Sequence, residues 1–170
     1  LFVGHDVLSD LVSQLRVLST ERLRLGVEET RLRNRLRSSL DLAFPEVLDA
    51  FATLRNRTPL ALVERWPLAQ DLAAASPRSV HAQLRLSSQN HIGQQRTRQL
   101  IAHAHTSIAL VDAAPARRAE IQRMVARRAF LMDQIAACEA ELAALVEVHP
   151  GTKALLTMPG IGVVVAAALV

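Results

Sequence analysis

Between Leu8 and Leu36 the residues Leu8, Leu11, Leu15, Leu18, Leu25, Leu32 and Leu36 recur in steps of three and four, with Arg22 and Glu29 standing at two positions of the series. This is a heptad seam, the apolar stripe of a long amphipathic helix that pairs with another helix, and it predicts a helix from residue 8 to about residue 40. A second stripe, Ile121, Met124, Leu131, Ile135, Cys138, Leu142 and Leu145, interrupted by Arg128, predicts a second long helix from about Pro115 to Val148.

The middle of the chain is punctuated instead. Phe44-Pro45-Glu46 ends the first helix, because the residue before proline is driven out of helical backbone and proline suits the first turn of the next helix. Thr58-Pro59, Trp66-Pro67 and Ser76-Pro77 mark further helix starts, so four or five short helices are expected, with a longer one from about Ile92 to Val111. No strand-like alternation occurs. The expected fold is all-α: two long heptad helices form a coiled coil around a small helical insertion, followed by the start of a helix-hairpin-helix. The corresponding segments are 1–44, 45–113, 114–149 and 150–170.

Composition sharpens this picture. Half of the 170 residues are hydrophobic, which excludes an intrinsically disordered tail. Aromatics make up only 3%, so the core is built from Leu, Ala, Val and Ile, and extended aromatic stacking platforms are disfavoured. The single cysteine, Cys138, excludes a disulfide framework or cysteine-rich zinc site, so the chain fits a reducing, cytoplasmic setting or is indifferent to redox. Its seam position marks it as a small buried core residue rather than a reactive thiol. The apolar run from Ala154 to Val170 is 17 residues with a Pro-Gly pair inside, which argues against a membrane span. The start, Leu1 to Asp6, lacks the basic region and apolar core of a secretory signal. A chain that opens on Leu1 and stops at Val170 inside an apolar run reads as a segment of a longer protein.

The formal charge is +4, and Lys153 is the only lysine among 20 Lys and Arg. Arginine offers planar, bidentate donors suited to phosphate. Candidate contacts are Arg24, Arg31, Arg33, Arg35 and Arg37 on the first helix. Others are Arg78, Arg85, Arg96 and Arg98, which lie in a span from Asp71 to Asp112 containing no acidic residue between those ends. A solvated helix face, or a coding sequence rich in G and C, produces arginines as well. His81, His91, His103 and His105 share the span, but His103 and His105 fall on different helix faces with no Asp, Glu or Cys nearby, which describes solvated histidines rather than a metal site. Glu28-Glu29, Glu139 and Glu141 read as solvated helix charge, and Asp6 and Asp10 lack a third ligand. There is no P-loop, nucleophile elbow or Cys-His pairing, so no catalytic residue and no bound metal or cofactor is assigned to this chain.

Pro159-Gly160-Ile161-Gly162 separates two short helical patterns and resembles a helix-hairpin-helix turn, in which glycines permit close approach and amides at the second helix can meet a phosphate. A generic glycine-containing break is the plainer alternative.

Two stretches carry a family resemblance. Arg31-Leu32-Arg33-Asn34-Arg35-Leu36-Arg37-Ser38-Ser39-Leu40, followed by Phe44-Pro45-Glu46, resembles the arginine-rich helix ending in Phe-Pro-Glu of the insertion-sequence-110 transposases, also described as bridge-RNA-guided recombinases. Leu155-Leu156-Thr157-Met158-Pro159-Gly160-Ile161-Gly162, with Ala166, resembles the Leu-x-x-x-Pro-Gly-Ile-Gly-x-x-x-Ala opening of that family's C-terminal domain, with Val165 where many members have Thr. Ala102 to Ser107 and the second heptad helix occupy the matching places between them, so the resemblance spans nearly the whole chain. It implies a RuvC-like nuclease domain upstream with an acidic tetrad holding Mg2+, a coiled-coil middle, and a downstream domain bearing a catalytic serine. It also implies DNA and a structured guide RNA as partners, a homo-oligomer joined through the coiled coil, and no membrane. The chain matches the middle and the opening of the last part, so Ser87, Ser88 and Ser107 inherit no catalytic role.

Two further functions fit the residues. One is a purely structural oligomerisation module, which would show concentration-dependent helicity and no salt-sensitive binding. The other is a helix-hairpin-helix DNA-repair accessory protein, which would prefer duplex or branched DNA to structured RNA.

Overall fold

The computed structural model describes the backbone of residues 3–170 and the side chains from residue 8 onward, which leaves the Asp6 carboxylate outside the described residues. The chain is all-α, and no strand occurs among the described residues. Helix α1 runs Val3–Ala43 and α7 runs Ala114–Val148. Between them lie α2 (Pro45–Ala50), α3 (Arg57–Arg65), α4 (Ala69–Ala73), α5 (Pro77–Ser87) and α6 (Gln94–His105), and after them α8 (Pro150–Leu155) and α9 (Val163–Ala168). The chain divides into two compact units: residues through Thr30 with Phe130–Val170, and Arg31–Ala129. Both long helices contribute to each unit.

In the first unit, the seam leucines of α1 meet those of α7. Leu15, Cys138, Leu142 and Val146 form a buried cluster with Ala167 of α9, edged by Leu18, Leu25 and Leu145. Each fully buried leucine contributes on the order of 1.5–3 kcal/mol. Leu8, at the end of the series, is exposed. The arginine that interrupts the seam is used inside it: Arg22 donates from Nε and Nη2 to Glu139 Oε1 at 2.9 and 2.6 Å. The other polar seam positions, Glu29 in this unit and Arg128 in the second, are only 6% and 5% exposed, and both are held by partners.

Cys138 lies in this cluster with its thiol donating to the Leu18 carbonyl at 3.3 Å. Burial pushes its pKa up, and the carboxylates of Glu141 and Glu21 add to the shift. The thiol is therefore expected to resist iodoacetamide at mildly alkaline pH in the folded chain and to react promptly once denatured; equal rates in the two states would contradict its burial. Because the folded thiol holds its proton more tightly than the unfolded one, this group stabilises the fold below the ordinary thiol range near pH ~8.5 and loses that contribution as pH rises above it.

Two short helices close the first unit. His149 caps α8, its Nδ1 accepting from the Thr152 amide at 3.3 Å, while the buried Thr152 hydroxyl lies 2.7 Å from the Val146 carbonyl and 2.9 Å from that of His149. Helices α8 and α9 contact each other. Gly160, in the turn between them, has φ +88°, a left-handed conformation that favours glycine.

In the second unit, α6 packs against α2, α4 and α5, and α3 packs against α5. Two of the four proline signals mark helix starts as expected, whereas Thr58 and Pro59 lie within the first turn of α3, whose N-cap is Asn56, and Trp66 ends α3 with α4 starting only at Ala69. Phe44 precedes Pro45 with extended φ (−162°), is fully buried, and serves as the N-cap position of α2. Ser76 precedes Pro77 and accepts the Ser79 amide at 3.2 Å, capping α5. At α4 the N-cap is Leu68, which has no acceptor, and Asp71 turns back to accept the Leu68 amide at 3.3 Å. Asp71 also receives Arg118 of α7 at 3.0 and 2.5 Å, and this pairing raises the Arg118 pKa.

One expected boundary is corrected. The helix expected from Ile92 to Val111 spans only Gln94–His105. Thr106 turns its amide and hydroxyl onto the His103 carbonyl at 3.1 and 3.2 Å, and the chain leaves the helix there. The β-branched residues Thr106, Ile108 and Val111 favour that exit. The Leu110 amide donates to the Leu42 carbonyl at 2.9 Å instead of continuing a helix.

Candidate nucleic-acid interface

On α1 the arginines do not form one face. Arg31 and Arg35 are four apart and share a side, Arg33 and Arg37 share another, and the buried Leu32, Leu36 and Leu40 run between the two pairs. Arg31, Arg35 and Arg37 are exposed in the second unit, whereas Arg33 is half-buried and engaged. Arg24, in the first unit, is exposed.

The acid-free span folds into α5, α6 and the turns beside them, and the fold sorts its four arginines into two classes. Arg85 braces the end of α5: its Nε donates to Asn90 Oδ1 at 2.7 Å, across a turn in which Gln89 and Asn90 take φ of 53° and 68°. Arg96 ties α6 to the end of α2, donating from Nη2 to the Ala50 carbonyl at 2.7 Å with its guanidinium 5.9 Å from the Phe51 ring centroid. These two guanidiniums are partly occupied in holding the fold.

Arg78 and Arg98 are different. Both are exposed, and among the described residues neither has an acidic partner. They line one groove, about 240 Å³ in volume, together with Pro77, His81, Gln94 and Thr97. His81 is fixed there: its Nδ1 lies 3.2 Å from the Thr97 hydroxyl, which itself donates to the Gly93 carbonyl at 3.1 Å. With the hydroxyl proton committed to Gly93, the hydroxyl accepts from His81, so Nδ1 carries a proton and Nε2 is the ring's other nitrogen for a ligand. Two guanidiniums and the glutamine amide form a set of donors for an anion, and the imidazole beside them, its Nδ1 proton given to Thr97, offers Nε2 as an acceptor.

The turn from Pro159 to Gly162 offers less. Ile161 spends its amide on the Met158 carbonyl at 3.2 Å, Gly162 occupies the N-cap position of α9, and α9 is six residues long. Gly160 shapes the turn and has no side chain with which to contact a ligand. Among the described residues no three His, Cys, Asp or Glu side chains come together as potential metal ligands, and no helix is long and apolar enough to cross a membrane.

Spacing alone missed His81 and Thr97 as parts of the groove, and it missed Phe51 altogether. His81 and Thr97 belong to different helices, 16 residues apart, so only packing reveals their contact. No protein-family model, no curated protein and no solved structure matches this chain.

Proposed function

We propose that this chain is the central segment of a transposase of the insertion-sequence-110 kind, which moves an insertion sequence by DNA strand cleavage and recombination. In this reading the segment grips nucleic-acid backbone and joins protomers, the partners are DNA and a structured guide RNA, and the setting is cytoplasmic. Strand chemistry belongs to flanking domains, with Mg2+ held by the upstream acidic residues that the sequence resemblance implies.

The observation that carries the backbone role is the groove pairing Arg78 with Arg98 beside His81, inside a span free of acidic residues. Exposed Arg31, Arg35 and Arg37 add positive charge in the same unit, and Arg24 does so in the other. Apolar residues left exposed on the long helices, among them Val17, Leu23 and Phe130, support protomer contact.

The test is titration of the whole chain with duplex DNA and with a stem-loop RNA over a series of salt concentrations. Binding through several phosphates is expected to weaken linearly on logarithmic axes, with a slope of about −0.9 for each B-DNA phosphate neutralised. Absence of salt-sensitive binding to either probe would leave the structural-module reading in its place.

A further inference from the structure

We propose that the cavity walled by Phe51, Leu84, Ile92 and Leu100 is a base pocket, which accepts one unstacked nucleobase while the attached backbone follows the polar groove beside it. The inference rests on the nucleic-acid reading above and adds the class of nucleic acid: a single-stranded stretch.

Size is the first argument. The cavity holds about 150 Å³. That is the space of roughly five waters and well short of the ~300–1,000 Å³ of pockets for drug-sized ligands, so it suits one small planar ring system. Its chemistry is the second. The apolar wall is joined by Asp49, Gln99 and His103, all exposed and, among the described residues, with no hydrogen bond to their side chains. A carboxylate, an amide and an imidazole offer both donors and acceptors, as the polar edge of a base requires.

Position is the third argument. Phe51, Ile92 and Arg96 line this cavity and also a larger groove of about 500 Å³ that includes Asn56, Arg57 and His91. The ring of Phe51 and the guanidinium of Arg96 therefore stand where an apolar site meets a cationic one. Bases taken out of a stack are received on aromatic rings and guanidinium planes, with the phosphates held by neighbouring cations. A base paired inside a duplex cannot enter such a cavity without being extruded. The scarcity of aromatics elsewhere in the chain is consistent with one base held here rather than a row of stacked bases.

The test compares an oligothymidylate with an oligomer of the same length and charge carrying abasic sugars, each titrated against the whole chain at fixed salt. The native chain is expected to prefer the base-bearing strand by about 5- to 150-fold, the range for one stacked base. Phe51→Leu keeps an apolar wall but removes the ring, and is expected to lose most of that preference while leaving the salt slope unchanged. Arg96 is unsuitable as a probe because it also holds the Ala50 carbonyl. Gln99→Leu, at an exposed position, supplies a second variant should Phe51→Leu fail to fold, and is expected to reduce the preference as well. If both strands bind equally, or if neither variant changes the preference, the base pocket is overturned while backbone binding stands. Absence of salt-sensitive binding to any strand would overturn both.

Discussion

Phe44→Ala is expected to destabilise the second unit by about 3–5 kcal/mol, the range for deleting a fully buried aromatic side chain. Phe44 is 0% exposed and sits where α1 gives way to α2. Its backbone is engaged on both sides: its amide donates to the Leu40 carbonyl at 2.7 Å, and its carbonyl accepts from Val47 at 3.2 Å. Alanine keeps those bonds, and the extended φ is open to it, so the loss is that of the ring and the cavity left behind. For a unit of this size each kcal/mol moves the thermal midpoint by about 4–8 °C, so a fall of more than ~10 °C should appear in far-ultraviolet circular dichroism. Leu86→Ala is the control, because Leu86 is 75% exposed and its truncation should change stability by no more than about 0.5 kcal/mol. Equal midpoints for the two variants would mean that Phe44 is not part of the packed core.

The features legible in the sequence were those set by short-range chemistry. Heptad spacing located both long helices because an apolar stripe must be buried, and Leu15, Leu32, Leu36, Ile121, Leu131 and Leu142 are buried. Phe44-Pro45 and Ser76-Pro77 marked helix starts because proline restricts the residue before it and serine can cap the next turn. The end of α6 was missed because the pattern from Ile92 to Val111 is compatible with a helix, whereas Thr106 turns onto His103.

Arginine roles were the least legible. Arg78, Arg85, Arg96 and Arg98 look alike along the chain, yet Arg96 bonds a carbonyl 46 residues away and Arg85 braces its own turn. The interruption at Arg22 likewise became intelligible only with Glu139, 117 residues later. Spacing reports which residues share a helix side, not which distant atom receives the side chain.

That sorting sets up the prediction with the largest expected effect on binding. Replacing both Arg78 and Arg98 with Ala is expected to make the salt slope for duplex DNA shallower by about 1.8, if each guanidinium neutralises one phosphate. Extrapolated to about 0.1 M salt, the same counterion release corresponds to a loss of affinity of roughly 60-fold. Both side chains are exposed and without acidic partners among the described residues, so the double variant should melt with the native chain. Arg85→Ala separates charge near the groove from charge within it. Its loss removes the bond to Asn90 and should lower the melting temperature modestly, without changing the slope as the groove pair does. If Arg85→Ala and the Arg78/Arg98 double variant flatten the slope in proportion to the charge removed, nucleic acid senses only the basic character of the whole span. If the groove pair alone changes it, phosphates are held where two arginines converge around His81. If neither changes it, the groove is a solvated surface and backbone contact must be sought at Arg31, Arg35 and Arg37.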